Sequence, residues 1–265
     1  MPPGQGKGYS SPATHGWGRL AGHAAPVAQL DRVAASEAAG RGFESRRARQ
    51  TDLHTQALLP RATFEPIAPD AALLPGFATE EADALCAQLQ QLLLTSPWRH
   101  MLTPGGQRMS VEMTNCGRVG WISDRAGYRY QSIDPQSGRQ WPPMPAAWSK
   151  LATRAAAAAG FARFEADACL VNRYEPGARL SLHQDRNERD FGAPVVSVSL
   201  GLPALFLFGG MQREDPTRRI VLFHGDIVVW GGTQRLAFHG VQPIADGEHA
   251  ATGRCRINLT FRRAL

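Results

Sequence analysis

The chain has 265 residues, a formal net charge of +6, 43% hydrophobic residues and 20% charged residues. Those proportions suit one generous globular domain or two small ones and exclude a disordered, fibrous or collagen-like chain. No run of about 18 apolar residues exists to form a transmembrane helix, and the N-terminus lacks the charged start and apolar stretch of a secretion signal.

Residues 1–60 are rich in Gly, Pro, Ala, Ser and Arg and show no apolar periodicity, so a disordered tail is expected there. The stretch from Val27 to Ser45 also looks like the conceptual translation of a transfer-RNA gene. On that reading the true start lies near Leu58 or beyond; on the other, the segment is an ordinary basic tail. The tail carries seven Lys/Arg against four Asp/Glu, and residues 61–265 carry 22 against 19. The body is thus only weakly basic, and charge alone is a poor argument for a polyanionic partner.

Residues 61–265 read as one domain. Thr79 to Leu94 reads as a helix, with Thr79 as its cap, Glu80 and Glu81 in its first turn, and an apolar stripe of Leu85, Leu89, Leu92 and Leu93. Residues 98–145 are aromatic, Gly-rich and irregular, as functional loops often are. Pro145 to Gly160 reads as a second, Ala-rich helix. From Ala168 onward short strands follow one another: Cys169–Tyr174, Leu180–Asp185, Val195–Leu200, Ala204–Phe208, Ile220–Phe223, Ile227–Trp230 and Ile257–Phe261. Glycine-containing turns punctuate them. The expected fold is α+β with a mainly β core: a double-stranded β-helix, or jelly roll, supported by N-terminal helices. Cys86, Cys116, Cys169 and Cys255 form no Cys-x-x-Cys pair, which argues against structural zinc and points to reduced thiols in the cytoplasm.

Two stretches carry chemistry. His183 and Asp185 are two apart on a β-like run, so both face one way, with Gln184 on the other side. With one more ligand from a neighbouring strand they could hold a face of Fe(II) and leave the rest open. His239 and His224 compete for that place. His224 precedes a Gly225-Asp226 turn signal and reads as a turn-edge residue, so His239 is preferred. Taken alone, His183 hydrogen-bonded to Asp185 at the surface would be the simpler reading. The second stretch is Arg256 to Arg262. Arg256, Asn258, Thr260 and Arg262 share one strand face, while Ile257, Leu259 and Phe261 share the other. An ordinary strand would turn that polar face to water. Turned inward, two arginines need anions, and a dicarboxylate suits their planar forks. Asn172 and Tyr174, also on one face, could add hydrogen bonds to it.

With these stretches in place, the chain resembles the AlkB family of Fe(II)- and 2-oxoglutarate-dependent nucleic-acid repair dioxygenases. The likeness runs from about Phe64 to Ala264 and includes Thr103-Pro104-Gly105-Gly106, Asn172-Arg173-Tyr174, Leu182 to Asp185, Ser197 to Pro203, His224 to Gly232 and Arg256 to Arg262. It implies that His183, Asp185 and His239 bind Fe(II), and that Asn172, Tyr174, Arg256, Asn258 and Arg262 hold 2-oxoglutarate. It implies a substrate-recognition lid over about 98–141 carrying Trp121, Tyr128 and Tyr130, with Arg213 as a further substrate contact. Without the resemblance, Trp121 and Tyr128 would read as packing residues. One departure is visible: the family pattern has an acidic residue two places after the metal aspartate, contacting the damaged base, and here that place is Asn187. The implied reaction is O₂-dependent demethylation of bases such as 1-methyladenine and 3-methylcytosine, releasing formaldehyde, succinate and CO₂. The implied partner is single-stranded DNA, or duplex DNA with a flipped base, with RNA as a further target, and the implied protein is a cytoplasmic monomer. Two other readings stand beside it: the same oxygenase chemistry on RNA, a free nucleotide or a protein, and a non-enzymatic jelly-roll metal binder.

Overall fold

Strand alternation divides the apolar residues into two cores. A computed structural model describes residues 61–265; the expectations for residues 1–60 fall outside the described residues. An eight-stranded antiparallel sheet runs in the order β1 (Glu65–Ala68), β2 (Ala71–Leu74), β12 (Ile227–Trp230), β9 (Val195–Gly201), β14 (Arg256–Arg262), β7 (Ala168–Tyr174), β4 (Arg108–Gly117) and β3 (Arg99–Leu102). A four-stranded sheet runs β11 (Arg218–Leu222), β10 (Ala204–Phe208), β13 (His239–Val241) and β8 (Leu180–His183). β5 (Gly120–Asp124) and β6 (Gly127–Gln131) form a separate hairpin. Two helices, α1 (Ala82–Leu93) and α2 (Ala146–Ala158), complete the jelly roll.

The first core lies between the helices and the large sheet. Leu85, Leu89 and Leu92 of α1 and Trp148 and Leu151 of α2 pack with Val196, Val198, Ile257, Leu259 and Phe261. The second lies between the sheets, where Val195, Val228 and Trp230 meet Phe206, Phe208, Leu222 and Val241. Each central strand therefore supplies both layers from alternate positions. In β14 the residues left on the second side are Arg256, Asn258, Thr260 and Arg262. All four are buried, so the polar face points inward and not to water.

Several boundaries differ from the sequence reading. Residues 98–145 are not irregular: they contain β3 to β6, and β4 is a ten-residue strand of the large sheet. Ser, Glu, Thr and Asn mask it in the sequence, yet its buried Thr114 is satisfied by the Ser96 carbonyl at 2.7 Å. Thr79 does not cap a helix. It opens a 3₁₀ turn, Thr79–Glu81, with no side-chain capping bond, and α1 starts at Ala82. The turn before β12 fixes that entry: Gly225 has φ +85, and a Cβ there would come within 2.3 Å of the Thr79 hydroxyl. β8 ends at His183, so Asp185 lies in the irregular segment beyond it. All four cysteines are free thiols. Among the described residues no helix is long and apolar enough to cross a membrane.

Phe261 meets Trp148 edge to face, with centroids 6.4 Å apart. Truncating a buried aromatic of this kind leaves a cavity, and Phe261→Ala is expected to lower the unfolding free energy by about 3–5 kcal/mol. Urea denaturation measures this, and a loss below about 1 kcal/mol would show that the ring does not seal the helix–sheet core.

Candidate active site

The antiparallel pairing of β8 with β13 sets His183 directly opposite His239, with ring centroids 4.4 Å apart. Asp185 reaches back to them: its Oδ1 lies 3.8 Å from His183 Nε2 and 3.9 Å from His239 Nε2. One ligand atom from each residue falls within 4.8 Å of the others. Both histidines use Nδ1 on a backbone carbonyl, Ser181 at 2.9 Å and Ala237 at 3.0 Å. A carbonyl only accepts, so each Nδ1 carries the hydrogen and each Nε2 keeps its lone pair for the centre of the cluster.

The ionisation states match. Burial pushes the His239 imidazole down to about 3, and neighbouring His183 pushes the same way, so it is neutral at neutral pH. Burial alone would raise the Asp185 carboxyl, but Arg262, followed by the two histidines, outweighs it and holds the group well below the usual carboxylate range. Arg262 donates Nε at 2.8 Å to Asp185 Oδ2, with Nη2 also in ion-pair contact at 2.7 Å, leaving Oδ1 toward the imidazoles. Two imidazoles and one carboxylate, converging on one point, form a donor set suited to Fe(II).

Two buried residues escaped the sequence reading. Glu188 lies 3.3 Å from Arg262 and 3.2 Å from Arg235, and Arg235 also donates to the Asp185 carbonyl at 2.8 Å. This network of two acids and two arginines locks the segment that carries Asp185. Glu188 follows the His-x-Asp stretch closely enough to have been suspected; nothing local marks Arg235.

Behind the cluster, β14 faces β7 so that Arg256 pairs with Tyr174 and Asn258 with Asn172. Arg256 is 1% exposed, lies 5.0 Å over the Tyr174 ring, and spends NH2 on the Ser199 hydroxyl at 3.0 Å. Its Nε and NH1, and the Asn172 Oδ1, are buried without a partner. Burial lowers the affinity of that guanidinium for its proton, as expected where no anion answers it. An unanswered buried cation beside an unsatisfied amide fits one carboxylate of a small diacid. Asn258 is already engaged, donating to Ser197 Oγ and the Val198 carbonyl and accepting from Thr260. In the structure it braces the pocket wall. Ser197 and Ser199 alternate with valines and leucine in β9, and that spacing was the available sign of an inward polar face.

These groups line a cavity of about 720 Å³ whose mouth holds Trp121, Tyr128, Asn187 and Arg213. Trp121 and Tyr128 stack at 5.6 Å with ring planes 16° apart. Arg213 lies over the Phe238 ring at 4.9 Å and donates to the Leu182 carbonyl at 2.7 Å. Tyr130 is placed differently: it does not line the cavity, and its hydroxyl donates to Glu188 at 2.8 Å. Gln184 turns aside to the Leu236 carbonyl, and His224 stacks on His249 away from the cluster.

A jelly roll with an inward His-Asp-His cluster and a buried basic strand defines the Fe(II)- and 2-oxoglutarate-dependent oxygenase class. The model of the 2OG-Fe(II) oxygenase superfamily matches residues 70–262. The alpha-ketoglutarate-dependent dioxygenase AlkB of Escherichia coli K12 is 55% identical over 200 residues, covering 76% of this chain and 93% of that protein. The AlkB homolog of Caulobacter vibrioides is 48% identical over 170 residues, 64% of this chain and 76% of that protein. The solved structure of OsALKBH1 superposes with a TM-score of 0.66 at 29% identity, covering 76% of this chain and 99% of that one. The chain belongs to the AlkB family within this superfamily, and it is a dioxygenase of that kind.

The neutral state of His239 has a consequence for stability. Its folded value, about 3, lies below the ordinary 6.5. Stability from this residue is therefore complete above pH 6.5 and is lost progressively toward pH 3, because the unfolded chain takes up a proton that the folded chain refuses. Thermal unfolding of chelator-treated protein should fall between pH 7 and pH 4, and His239→Phe should flatten that slope. An equal slope in the variant would contradict the buried neutral imidazole.

Proposed function

We propose that this enzyme demethylates N-alkylated bases in DNA, and by the same chemistry in RNA, with His183, Asp185 and His239 holding Fe(II). The observation that carries the reading is the unanswered guanidinium of Arg256 behind that cluster in one cavity. In this reading Arg256, Tyr174 and Asn172 grip the distal end of 2-oxoglutarate, Asn258 keeps the wall in shape, and Arg262 orients Asp185 while presenting its charge to the other end. The Fe(II) and 2-oxoglutarate that these residues would hold would supply the oxidation by O₂, which would convert 2-oxoglutarate to succinate and CO₂ and release the methyl carbon as formaldehyde. The residues' part is to position the groups and exclude water. Names of similar proteins support the substrate class: the human relative, 34% identical over 135 residues, is called nucleic acid dioxygenase ALKBH1.

A base inside a duplex cannot reach a buried cluster, so it is taken from a single strand or flipped out. The β5–β6 hairpin serves as the lid, and the stacked Trp121 and Tyr128 offer an aromatic surface worth about 1–3 kcal/mol per base. Arg213 meets the substrate at the cavity mouth. Tyr130 acts on the lid from inside, through Glu188. Residues 61–265 form the catalytic domain, working as a cytoplasmic monomer.

Formaldehyde and succinate are measured with methylated single-stranded oligonucleotides, Fe(II) and 2-oxoglutarate. His183→Ala and Arg262→Ala are expected to abolish both products. Arg256→Ala should raise the KM for 2-oxoglutarate by roughly 10–100-fold, the worth of one or two charge-assisted hydrogen bonds. Turnover surviving both of the first two changes, or an unchanged KM in the third, would refute the assignment.

A further inference from the structure

A second, smaller cavity of about 240 Å³ lies against the helix–sheet core. Two thiols line it: Cys86 from α1 and Cys255 from the position just before β14. Leu89, Trp98 and Ile257 are their apolar neighbours. Both cysteines are free and partly exposed, so small solutes reach them. Cys116 and Cys169 are fully buried elsewhere in the core. Cys255 is held in place: its sulfur lies 3.1 Å from the Thr252 carbonyl, and its own carbonyl accepts from the Thr252 hydroxyl at 2.8 Å.

The donor set of this cavity is sulfur. No imidazole or carboxylate lines it, and among the described residues no third His, Cys, Asp or Glu ligand atom gathers with the two thiols. His224 and His249, which like Cys86 lie within reach of the Asp83 charge, are already engaged. The Gly201 N–H donates to His224 Nδ1 at 3.0 Å, and the Ala251 N–H donates to His249 Nδ1 at 3.2 Å. Each Nδ1 is thus occupied, and in the neutral ring Nε2 carries the hydrogen. A structural zinc ion takes four ligands, and two are missing here. Soft ions such as Cu(I) and Hg(II) favour thiolates and accept two sulfurs in line.

We propose that Cys86 and Cys255 form a two-coordinate site for a soft, thiophilic metal ion, which ties α1 to the start of β14. Burial raises both thiols above their ordinary value, so they are protonated at neutral pH. Binding therefore breaks two S–H bonds, forms two sulfur–metal bonds and releases two protons, with no change of oxidation state. Arg173, which also lines the cavity, favours the Cys255 thiolate that results. The inference rests on the cavity and its thiols and is independent of the demethylase reading.

The test uses the full chain, reduced, freed of reductant and kept anaerobic, with Hg(II) as the probe. Remaining thiols are counted with a chromogenic disulfide. The Cys86→Ser/Cys255→Ser double variant sets the background from Cys116 and Cys169. Above that background, one equivalent of Hg(II) is expected to remove both thiols of the parent protein from reaction. A requirement for two equivalents would show two independent thiols and overturn the proposal, whether or not the variants fold. Cys86→Ser and Cys255→Ser each leave one sulfur. Each is expected to surrender the ion to a competing monothiol at a concentration at least about 100-fold lower than the parent needs, because a second tethered ligand acts at a high effective concentration. Equal retention by the parent and either single variant would also overturn it.

Discussion

Two guanidiniums on the inward face of one strand are the constraint around which the rest is arranged. Arg256 and Arg262 are 1% and 6% exposed, and a buried cation is stable only where an anion or a full set of acceptors meets it. The protein answers one of them itself. Arg262 is met by Asp185 and Glu188, and Arg235 closes the network so that two acids balance two bases. The same bonds hold Asp185 ionised and aim its other oxygen at the two histidines. The metal-type cluster and the ion-pair network are therefore one object: the arginine that stabilises the carboxylate also orients it.

Arg256 keeps Nε and Nη1 without a protein partner. Its remaining hydrogen bond to Ser199 and its place over Tyr174 fix its direction without neutralising it. A site built this way is pre-organised at the expense of stability, since an unanswered buried charge is held in place by the surrounding sheet. Under the proposed assignment a dicarboxylate at Arg256 would relieve that penalty, and co-substrate affinity and local stability would be coupled through one residue.

The mouth of the cavity follows different physics from its floor. At the floor, the charges around Asp185 are paired and fixed. At the mouth, the β5–β6 hairpin presents stacked aromatic faces, and the Trp121 indole donates to the Asn187 side-chain oxygen. Tyr130 links the two levels: it belongs to the hairpin strand that carries Tyr128, yet bonds to Glu188 of the buried network. The position of the hairpin over the cavity is in this way tied to the ion pairs around Asp185.

Much of the site was legible in the chain because strand side chains alternate. The period-two pattern of Arg256 to Arg262 named its two faces, while the His183-Asp185 pair meets His239 although Asp185 lies beyond the end of β8. The strands from Ala168 onward, rich in Val, Leu and Ile, were readable for the same reason. β4 was not, because its polar residues are satisfied by partners distant in sequence, such as Ser96, and hydropathy does not register a satisfied polar group. Nor did the local pattern show that Thr79 packs under Gly225 rather than capping α1.

The sequence by itself determined which residues share a face, and hence which chemistry could gather on it. Tertiary structure decided which way those faces turned. It placed the polar side of β14 inside because the helices had already claimed the apolar side. It set His239 opposite His183 through a pairing 56 residues apart in the chain. It also brought Arg235 and Glu188 to Asp185, and Trp121 to Asn187, through contacts with no local signature, because hydrogen bonds between distant segments depend on packing that no short stretch of chain encodes.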